Sequence, residues 1–405
     1  MNLSLDQIKN LRVCFVHDWL VTMRGGEKVL EVLAELFPNA PIFTLFYKKE
    51  NLSTSLQKRV IQTSFLQWIP GIHRFYRWLL PIFPLAVRSL NVKKYDLVIS
   101  SSHCVAKGVK VRKDAIHVCY CYTPMRYLWG LSEDYLKPFP KVVRWFIAQY
   151  FKWLRKWDFE TSQEVDFFIA DSKHVQEKIL RFYGKQATVI YPPVEAPPFS
   201  ANVITDYQDE AFFLVVSALV PYKRVDLAIE AFNRIQKPLR IVGDGPLKKA
   251  LQRQVRYQGI QFEGWLPANE LWDRYRNAKA LIFPGEEDFG IVPVEAQICG
   301  TPVIAYGKGG VLDTVIPDRA DNRHAVGKST GIFFNELTCE ALAKAVQEFE
   351  NMEFDSNFIR QYAQQFSRER FKKEIFDFVQ NVFRQHEFVS LIGSEHQKVT
   401  ATAIK

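Results

Sequence analysis

Two glutamates, Glu287 and Glu295, stand eight positions apart in the segment Glu-Asp-Phe-Gly-Ile-Val-Pro-Val-Glu. The segment follows the apolar residues 280–284, which predict a buried strand, and precedes Gly300, which predicts the end of a helix. In an open parallel sheet, a loop that leaves the carboxyl end of a strand faces the ligand crevice. Carboxylates accept paired hydrogen bonds from vicinal hydroxyls, and each such bond contributes about 1.5–3 kcal/mol. The pair therefore indicates a site for a polyhydroxylated, phosphorylated ligand.

Three residues between the glutamates, Phe289, Gly290 and Ile291, mark the expected start of the helix. Backbone N–H groups at a helix N-terminus have no partner within the helix and meet an anionic or oxygen-rich ligand. The alternative is that two solvated acids merely flank a helix start. The strand, the glycine and the helix end occur in the expected order, which favours the ligand site.

The same residues resemble the signature of the family 4 (group 1) retaining glycosyltransferases, a Glu-x7-Glu motif with an internal Phe-Gly-Ile after a strand that ends in Pro-Gly. The resemblance implies the α/β GT-B fold, in which two Rossmann-like doubly wound parallel-sheet domains face each other across a cleft. It implies that Glu287 lies by the donor sugar and that Glu295 holds the ribose hydroxyls of the nucleotide. It also implies a nucleoside-diphosphate sugar as donor substrate, with no cofactor and no metal site.

Predicted strands and helices alternate in two runs, as is typical of doubly wound parallel sheets. In the first run, strands are expected at residues 12–17, 95–100, 116–120 and 167–170, and residues 188–194 lead into a linker. In the second run, strands are expected near 211–217, 239–242, 260–263, 279–284 and 302–305, and helices near 225–236, 246–256, 268–276, 291–300 and 338–350.

The expected domains are residues 1–195, on the acceptor side, and 196–367, which bind the nucleotide sugar, divided by a proline-rich polar linker that ends near Asp209. Residues 368–389 form a last helix with apolar residues at helical spacing. The resemblance implies that this helix returns to the first domain. Residues 390–405 are predicted to be a disordered tail.

Lys223 and Arg224 follow the first strand of the second domain, where a cation can meet the donor diphosphate as its charge grows. Members of the family usually carry an arginine five residues before this lysine, and this chain has Ala218 there. Lys223 is then the remaining phosphate cation and Arg224 a substitute for the missing one; the alternative for both is an exposed loop residue. Trp265, after a later strand, is expected near the nucleotide base.

Candidate residues of the first domain also follow its strands. Gly25 and Gly26 match the glycine-rich loop of the family, because a residue without a side chain lets the backbone approach a ligand closely; a simple tight turn is the alternative. His103 is expected to bind a donor sugar hydroxyl or the acceptor, or else to cap its strand. Tyr122, which stands where relatives carry histidine, is a candidate for contact with the acceptor. Arg126, in the Thr-Pro-Met-Arg-Tyr segment, would meet an acceptor phosphate or pair structurally.

The net charge of +9 is concentrated in the first half of the chain. Residues 1–195 hold 28 Lys and Arg against 17 Asp and Glu. Such an excess indicates an anionic partner: a membrane surface, a lipid phosphate or a nucleic acid. A nucleic-acid partner is disfavoured, because the basic residues accompany aromatic helix faces and no nucleic-acid-binding module is recognisable.

Residues 141–157 predict a helix with an aromatic face and a cationic face, which suits the interface of an anionic membrane. The alternative is a domain helix with a core side and a solvated basic side. The face predicted to be apolar consists of Val142, Val143, Phe146, Ile147, Tyr150, Trp153, Leu154 and Trp157.

The cysteines and the lengths of the apolar runs indicate the cellular compartment of the protein. The six cysteines match no zinc spacing and lie in apolar contexts, which predicts buried reduced thiols and a cytoplasmic protein. The first ten residues lack the apolar core of a signal peptide, and the apolar runs are too short to span a bilayer. A peripheral position on the inner face of the plasma membrane is therefore expected.

The sequence predicts a retaining glycosyltransferase that moves a hexose, with mannose as the candidate sugar, from a nucleoside-diphosphate sugar to a lipid-linked saccharide acceptor. Two alternatives remain open. One is a non-catalytic membrane scaffold with the same fold, which the departures at Ala218 and Tyr122 favour. The other is a nucleotide-sugar 2-epimerase, which would convert free donor without an acceptor.

Overall fold

The computed structural model describes residues 11–129, 140–195, 211–318 and 328–402, with side chains of the last helix described through residue 385. The chain divides into two compact units. The first contains the residues before Ser172, Val175–Tyr191 and the residues after Arg368; the second contains Ser172–His174 and Pro192–Arg368. The predicted linker falls largely on residues 196–210, which lie outside the described residues.

The first unit is built on a seven-stranded sheet with the order β3-β2-β1-β4-β5-β6-β7, in which every neighbouring pair is parallel. The central strands are buried along their whole length, as expected for a parallel sheet covered on both faces. The strands are β1 (Val13–His17), β2 (Ile42–Thr44), β3 (Ile61–Thr63), β4 (Leu97–Ser102), β5 (Ile116–Cys121), β6 (Phe167–Ala170) and β7 (Ala187–Val189).

Helices cover both faces of this sheet. The α-helices are α1 (Gly25–Leu36), α2 (Thr54–Gln57), α3 (Ile72–Phe75), α4 (Phe83–Arg88), α5 (Arg126–Trp129), α6 (Lys141–Gln163), α7 (Lys173–Tyr183) and, after the second unit, α15 (Arg368–Thr402). Short 3-10 helices occupy Lys49–Asn51, Phe65–Trp68, Tyr76–Ile82 and Ala106–Gly108.

The last helix, α15, packs on the first unit through residues at helical spacing. Phe371, Ile375, Val379 and Val382 are buried in the same core cluster as β1, β4 and α1. The helix continues to Thr402, beyond residue 389, where the sequence analysis ended it. Residues 390–402 contain no proline and a single glycine, so nothing in them ends the helix that begins at Arg368.

Helix α6 is amphipathic, but its predicted apolar face is shared between the core and the surface. Leu154 is fully buried, and Tyr150 and Trp157 pack against the same core cluster. Phe146 and Trp153 remain exposed. The prediction that this whole face meets a membrane is therefore wrong, because part of the face covers the sheet.

The second unit is built on a six-stranded parallel sheet with the order β10-β9-β8-β11-β12-β13. Its strands are β8 (Phe213–Val216), β9 (Leu239–Val242), β10 (Ile260–Gly264), β11 (Leu281–Phe283), β12 (Val303–Tyr306) and β13 (Gly331–Phe334). Its α-helices are α8 (Val225–Ile235), α9 (Lys248–Gln252), α10 (Ala268–Asn277), α11 (Ile291–Ile298), α12 (Val311–Thr314), α13 (Cys339–Phe349) and α14 (Ser356–Ala363), and 3-10 helices occupy Pro221–Lys223 and Gln364–Phe366.

The strand order reverses once in each sheet, between β1 and β4 in the first unit and between β8 and β11 in the second. In open parallel sheets, ligands bind outside the carboxyl ends of the strands at such a switch point. The residues that follow these four strands are therefore the candidates for a functional site.

Candidate functional site

The loop after β11 carries the acidic segment and leads into α11. Gly290 precedes the helix with φ of 87°, a left-handed conformation that glycine adopts without strain. Phe289 is buried, and its ring contacts the ring of Phe366 edge-on at 5.8 Å between centroids. A ligand would therefore meet Phe289 through its backbone. Ile291 is the first residue of the helix, so its N–H lies in the turn whose donors have no partner within the helix.

Glu287 forms an ion pair with Lys223, which joins the loops that follow β11 and β8. Both side chains are mostly buried, at 18% and 16% exposed. The Lys223 ammonium also lies 5.4 Å from the centroid of the Tyr222 ring, within the range of a cation–π contact. The structure thus brings together two of the predicted catalytic residues at the switch point of the second sheet.

The loop that contains Gly309 and Gly310 contacts the backbone of Glu287. The N–H of Gly310 donates to the backbone oxygen of Glu287 at 2.8 Å. At Gly309, with φ of 80°, an added Cβ would lie 2.4 Å from that oxygen. Only glycine at this position permits so close an approach, which fixes the backbone of Glu287.

Glu295 projects from α11 and is held by a buried tyrosine. The hydroxyl of Tyr275 donates to Oε2 of Glu295 at 2.9 Å. Burial, with the adjacent Glu295, raises the pKa of Tyr275, so the phenol stays protonated and donates. A carboxylate offers about four acceptor positions, and the bond from Tyr275 occupies one of them. The sequence analysis missed Tyr275, which lies twenty residues before Glu295 and carries no motif of its own.

Arg224 adopts a left-handed conformation, with φ of 52° and ψ of 37°, immediately before α8. A non-glycine residue in this region costs energy, and such residues cluster at functional sites. Its guanidinium contacts the carboxylate of Asp226 at 3.3 Å. Ala218 lies in the preceding loop, where its carbonyl accepts a hydrogen bond from the Ser217 hydroxyl.

Trp265 is 76% exposed and follows β10. Two strands, β9 and β8, separate β10 from β11 in the sheet. Neighbouring strands lie about 4.8 Å apart, so the structure does not bring Trp265 into the group formed by Glu287 and Lys223. Its role beside a nucleotide base stays a prediction.

In the first unit, the switch point is organised by Asp18, which follows β1. Its buried carboxylate accepts hydrogen bonds of 2.6–2.9 Å from four consecutive backbone N–H groups, those of residues 103–106. It also lies 3.1 Å from Nδ1 of His103. A carboxylate on Nδ1 places the ring proton there and leaves Nε2 as the acceptor. His103 is one-third exposed, and its ring packs edge-on against Trp19 at 4.6 Å.

Tyr122 supports the glycine-rich loop. Its hydroxyl donates to the backbone oxygen of Gly26 at 2.9 Å and accepts from Ser101 Oγ at 2.7 Å. Ser101 in turn lies 3.0 Å from Nδ1 of His17, which completes the chain as the donor. The Tyr122 hydroxyl is therefore engaged in hydrogen bonds that hold the glycine-rich loop. A role of Tyr122 toward an acceptor stays a prediction.

The proton on Nδ1 leaves Nε2 of His17 as a bare acceptor, buried and without a hydrogen-bond partner among the described residues. Burial lowers the pKa of His17 to about 4, so the ring is neutral near pH 7. Gly25 opens α1, and the carboxylate of Glu27 accepts from the N–H of Arg24 at 3.0 Å, which caps the helix. Arg126 opens α5 and is half-buried.

Within the described ranges, no group of three or more His, Cys, Asp and Glu side chains is arranged to hold a metal ion. The second unit therefore offers a cation, two acids and a helix N-terminus as the groups that could hold a charged, hydroxyl-rich ligand. In the same ranges, no helix is both long and apolar enough to cross a bilayer.

Two known protein families match the sequence of this chain. Residues 24–196 match the model of glycosyltransferase family 4, and residues 199–366 match the model of glycosyl transferases group 1. The chain therefore belongs to the family 4, group 1 glycosyltransferases, and the prediction of the family from its acidic segment is confirmed.

Individual relatives cover shorter stretches. The chain is 28% identical over 168 residues to the O-antigen chain mannosyltransferase C of Escherichia coli, which covers 40% of this chain and 42% of that protein. It is 33% identical over 125 residues to the GDP-mannose-dependent alpha-(1-6)-phosphatidylinositol monomannoside mannosyltransferase of Mycolicibacterium smegmatis, which covers 27% and 33%. The chain spans about half or less of the length of the first curated relatives it matches.

The fold is similar to that of the Anabaena protein HepE, solved in complex with UDP and glucose, with a TM-score of 0.65 at 15% identity. The likeness covers 91% of this chain and all of that protein. At this identity the comparison establishes the fold alone, and it confirms the predicted α/β GT-B class with two Rossmann-like units.

Proposed function

We propose that the protein is a retaining glycosyltransferase that transfers a hexose from a nucleoside-diphosphate sugar to a saccharide acceptor. The observation that carries the proposal is the pairing of Glu287 with Lys223 at the switch point, beside the helix start that leads to Glu295. Family membership supports the reaction class, and the chemistry of these residues supports the assignment of the donor.

The proposed donor contacts follow from charge and geometry. Lys223 binds the diphosphate, whose negative charge competes with Glu287 for the ammonium, and the N–H groups at the start of α11 bind oxygen atoms of the donor. Glu295, oriented by Tyr275, accepts from the two ribose hydroxyls. Glu287 accepts from a hydroxyl of the sugar once the diphosphate has drawn Lys223 toward itself.

The proposed chemical step breaks the bond between the anomeric carbon and the diphosphate oxygen, and the diphosphate leaves with the electron pair. The acceptor hydroxyl attacks the same face of the sugar, and its proton passes to the departing diphosphate oxygen. Lys223 stabilises the negative charge that grows on the leaving group. His103, with Nε2 as an acceptor, is assigned to a hydroxyl of the sugar or the acceptor. The step involves no cofactor.

Mannose as the transferred sugar and a lipid-linked saccharide as the acceptor are the finer parts of the proposal. The names of the two relatives support them, since one is an O-antigen mannosyltransferase and the other acts on a phosphatidylinositol mannoside. The excess of basic residues in the first half of the chain supports an acceptor held at an anionic membrane surface.

Transfer is tested by incubating the purified protein with labelled GDP-, UDP- and ADP-sugars and a membrane lipid extract. We expect label in the lipid fraction with one donor, and loss of that label in the Lys223→Gln variant. If the protein neither transfers nor slowly hydrolyses any donor, the non-catalytic scaffold is favoured. If it converts the donor to its 2-epimer without an acceptor, the epimerase is favoured.

A further inference from the structure

Large apolar side chains are exposed on one part of the first unit. In the segment from Phe65 to Arg88, Trp68 is 85% exposed, Trp78 is 72% exposed and Leu85 is 67% exposed. Single exposed apolar residues are normal in soluble proteins, but two indoles and a leucine exposed on one short segment are not.

Helix α6 adds a second set of exposed aromatic residues. Trp145, Phe146 and Trp153 are between 50% and 63% exposed, although Leu154 of the same helix is fully buried. Since Leu154 fixes the side of the helix that faces the core, the exposed aromatic residues lie on its outer part.

These two sets are joined by direct contacts. The hydroxyl of Tyr150 donates to the backbone oxygen of Leu80 at 3.4 Å, and the rings of Tyr150 and Trp153 lie 5.6 Å apart. Trp78 precedes Leu80 by two residues, so its Cα lies within about 7 Å of that of Leu80. The exposed indoles of Trp78 and Trp153 therefore flank one contact and belong to one surface.

The order of contacts between residues 80–88 and α6 indicates where Trp78 lies relative to Trp145. Arg88, at the end of α4, pairs with Glu164 just after α6 through two bonds of 2.8 Å. The contacts from Leu80 to Tyr150 and from Arg88 to Glu164 follow the same order along both segments, so residues 80–88 and α6 have the same general direction. Trp78, which comes before this stretch, is thus directed toward the first turns of α6, where Trp145 lies.

The charges on these segments have one sign. Residues 51–95 and residues 141–157 contain no carboxylate, while they contain seven and five Lys and Arg. Lys141, Lys152 and Lys156 of α6 are exposed. A protein partner with a hydrophobic face would not by itself require this charge, whereas an anionic bilayer matches both the indoles and the cations.

We propose that Trp78, Leu85, Trp145, Phe146 and Trp153, with the lysines around them, form the surface by which the protein binds an anionic lipid bilayer. We call these five residues the aromatic surface. The indoles enter the interfacial region of the lipid, and the lysines remain at the level of the headgroups. This inference deepens the proposed function by naming where the membrane is met, and it rests on that function only for the identity of the acceptor.

Binding is measured by co-sedimentation of the full chain with vesicles of phosphatidylcholine, with and without phosphatidylglycerol, in the absence of donor and acceptor. We expect binding to the anionic vesicles and its loss at high salt. Trp78→Ser and Trp145→Ser should each lower the partition coefficient about tenfold. Lys152→Gln and its counterparts Lys141→Gln and Lys156→Gln should each lower it about fivefold.

Matched controls separate this surface from general hydrophobicity and charge. Leu180→Ser removes an exposed apolar side chain from α7 of the same unit, and Lys249→Gln removes an exposed cation from the second unit. Both variants should bind vesicles as the wild type does. Hydrolysis of a soluble donor should be unchanged in all these variants, so failure of membrane binding is distinguishable from failure of the proposed transfer.

Two results would overturn the inference. One is that the wild type does not bind anionic vesicles, or that the Trp78→Ser and Trp145→Ser variants bind them as tightly as the controls do. The other is that the wild type sediments as a dimer without lipid and the Trp78→Ser variant as a monomer, since the aromatic surface would then be covered by a second copy of the chain.

Discussion

Replacing Glu295 with alanine should abolish the preference of the protein for ribose over 2′-deoxyribose in a nucleoside diphosphate. In the proposed complex Glu295 accepts from both ribose hydroxyls while Oε2 keeps its bond from Tyr275, since a carboxylate has about four acceptor positions. Each charge-assisted bond contributes about 1.5–3 kcal/mol. The two together contribute about 3 kcal/mol or more, so the affinity should fall at least about a hundredfold.

Calorimetric titration with GDP, UDP and ADP and their 2′-deoxy counterparts measures this effect. Removal of one hydroxyl should cost the wild type about 1.5–3 kcal/mol, a ratio of about ten to a hundred and fifty between the two ligands. In the Glu295→Ala variant the ratio should approach one. The ratio is informative because damage to the whole site weakens both ligands equally and cancels.

Tyr275→Phe is the matched control. It removes the hydroxyl that orients Glu295 and keeps the carboxylate, so the preference for ribose should be reduced but retained. In Glu295→Ala, by contrast, the buried Tyr275 hydroxyl loses this acceptor, which should also cost about 1–3 kcal/mol of unfolding free energy. A Glu295→Ala variant that folds and still prefers ribose by the wild-type ratio would refute the assignment of Glu295.

Three further outcomes are expected. Lys223→Gln should lower the rate of transfer by about a hundredfold or more while a nucleoside without phosphates binds unchanged, as measured by turnover and titration. His103→Gln should lower transfer while nucleoside diphosphate affinity is kept, which separates the roles of the two units; equal loss of both would contradict this. Burial lowers the pKa of His117 to about 3, so the folded chain resists a proton that the unfolded chain binds near pH 6.5. The stability that neutral His117 contributes is complete above pH 6.5 and is lost as the pH falls toward 3. Denaturant titrations should therefore show that the unfolding free energy of His117→Gln falls less steeply with acid than that of the wild type.

The sequence alone predicted the structural features that depend on residues close together in the chain. The strand at 239–242 and the helix start at Ile291 agree with the structure, because apolar runs and glycine positions determine them locally. The three-residue strands β2 and β3 were not predicted, since so short a run shows no clear period. The ion pair between Lys223 and Glu287 was not predicted, because the two residues lie on different loops and the sequence analysis assigned each of them to the donor separately.

The arrangement around Asp18 could not have been predicted in this way. Its carboxylate bonds to backbone groups that lie 85 to 88 residues later, after a strand that is its neighbour only because the sheet order reverses there. Every residue except proline has a backbone N–H, so the sequence does not indicate which of these groups will bind a carboxylate. The position of Asp18 directly after a buried strand was the one available signal, and it did not reveal how the carboxylate is satisfied.

Asp18 and Glu287 both follow a strand at a switch point, but their environments differ in a way that predicts different consequences of losing the charge. Asp18 is fully buried and accepts from four backbone N–H groups, so Asp18→Asn replaces one charged acceptor with a donor and should cost about 3–5 kcal/mol of unfolding free energy. Glu287 is mostly buried and is paired with one lysine that a diphosphate can displace, so Glu287→Gln, which keeps an acceptor for that lysine, should cost about 1–3 kcal/mol of unfolding free energy while transfer is lost. Thermal unfolding and turnover of the two variants distinguish an acid that holds its unit together from an acid that acts on the ligand. Equal destabilisation by the two substitutions would show that Glu287 also serves the fold.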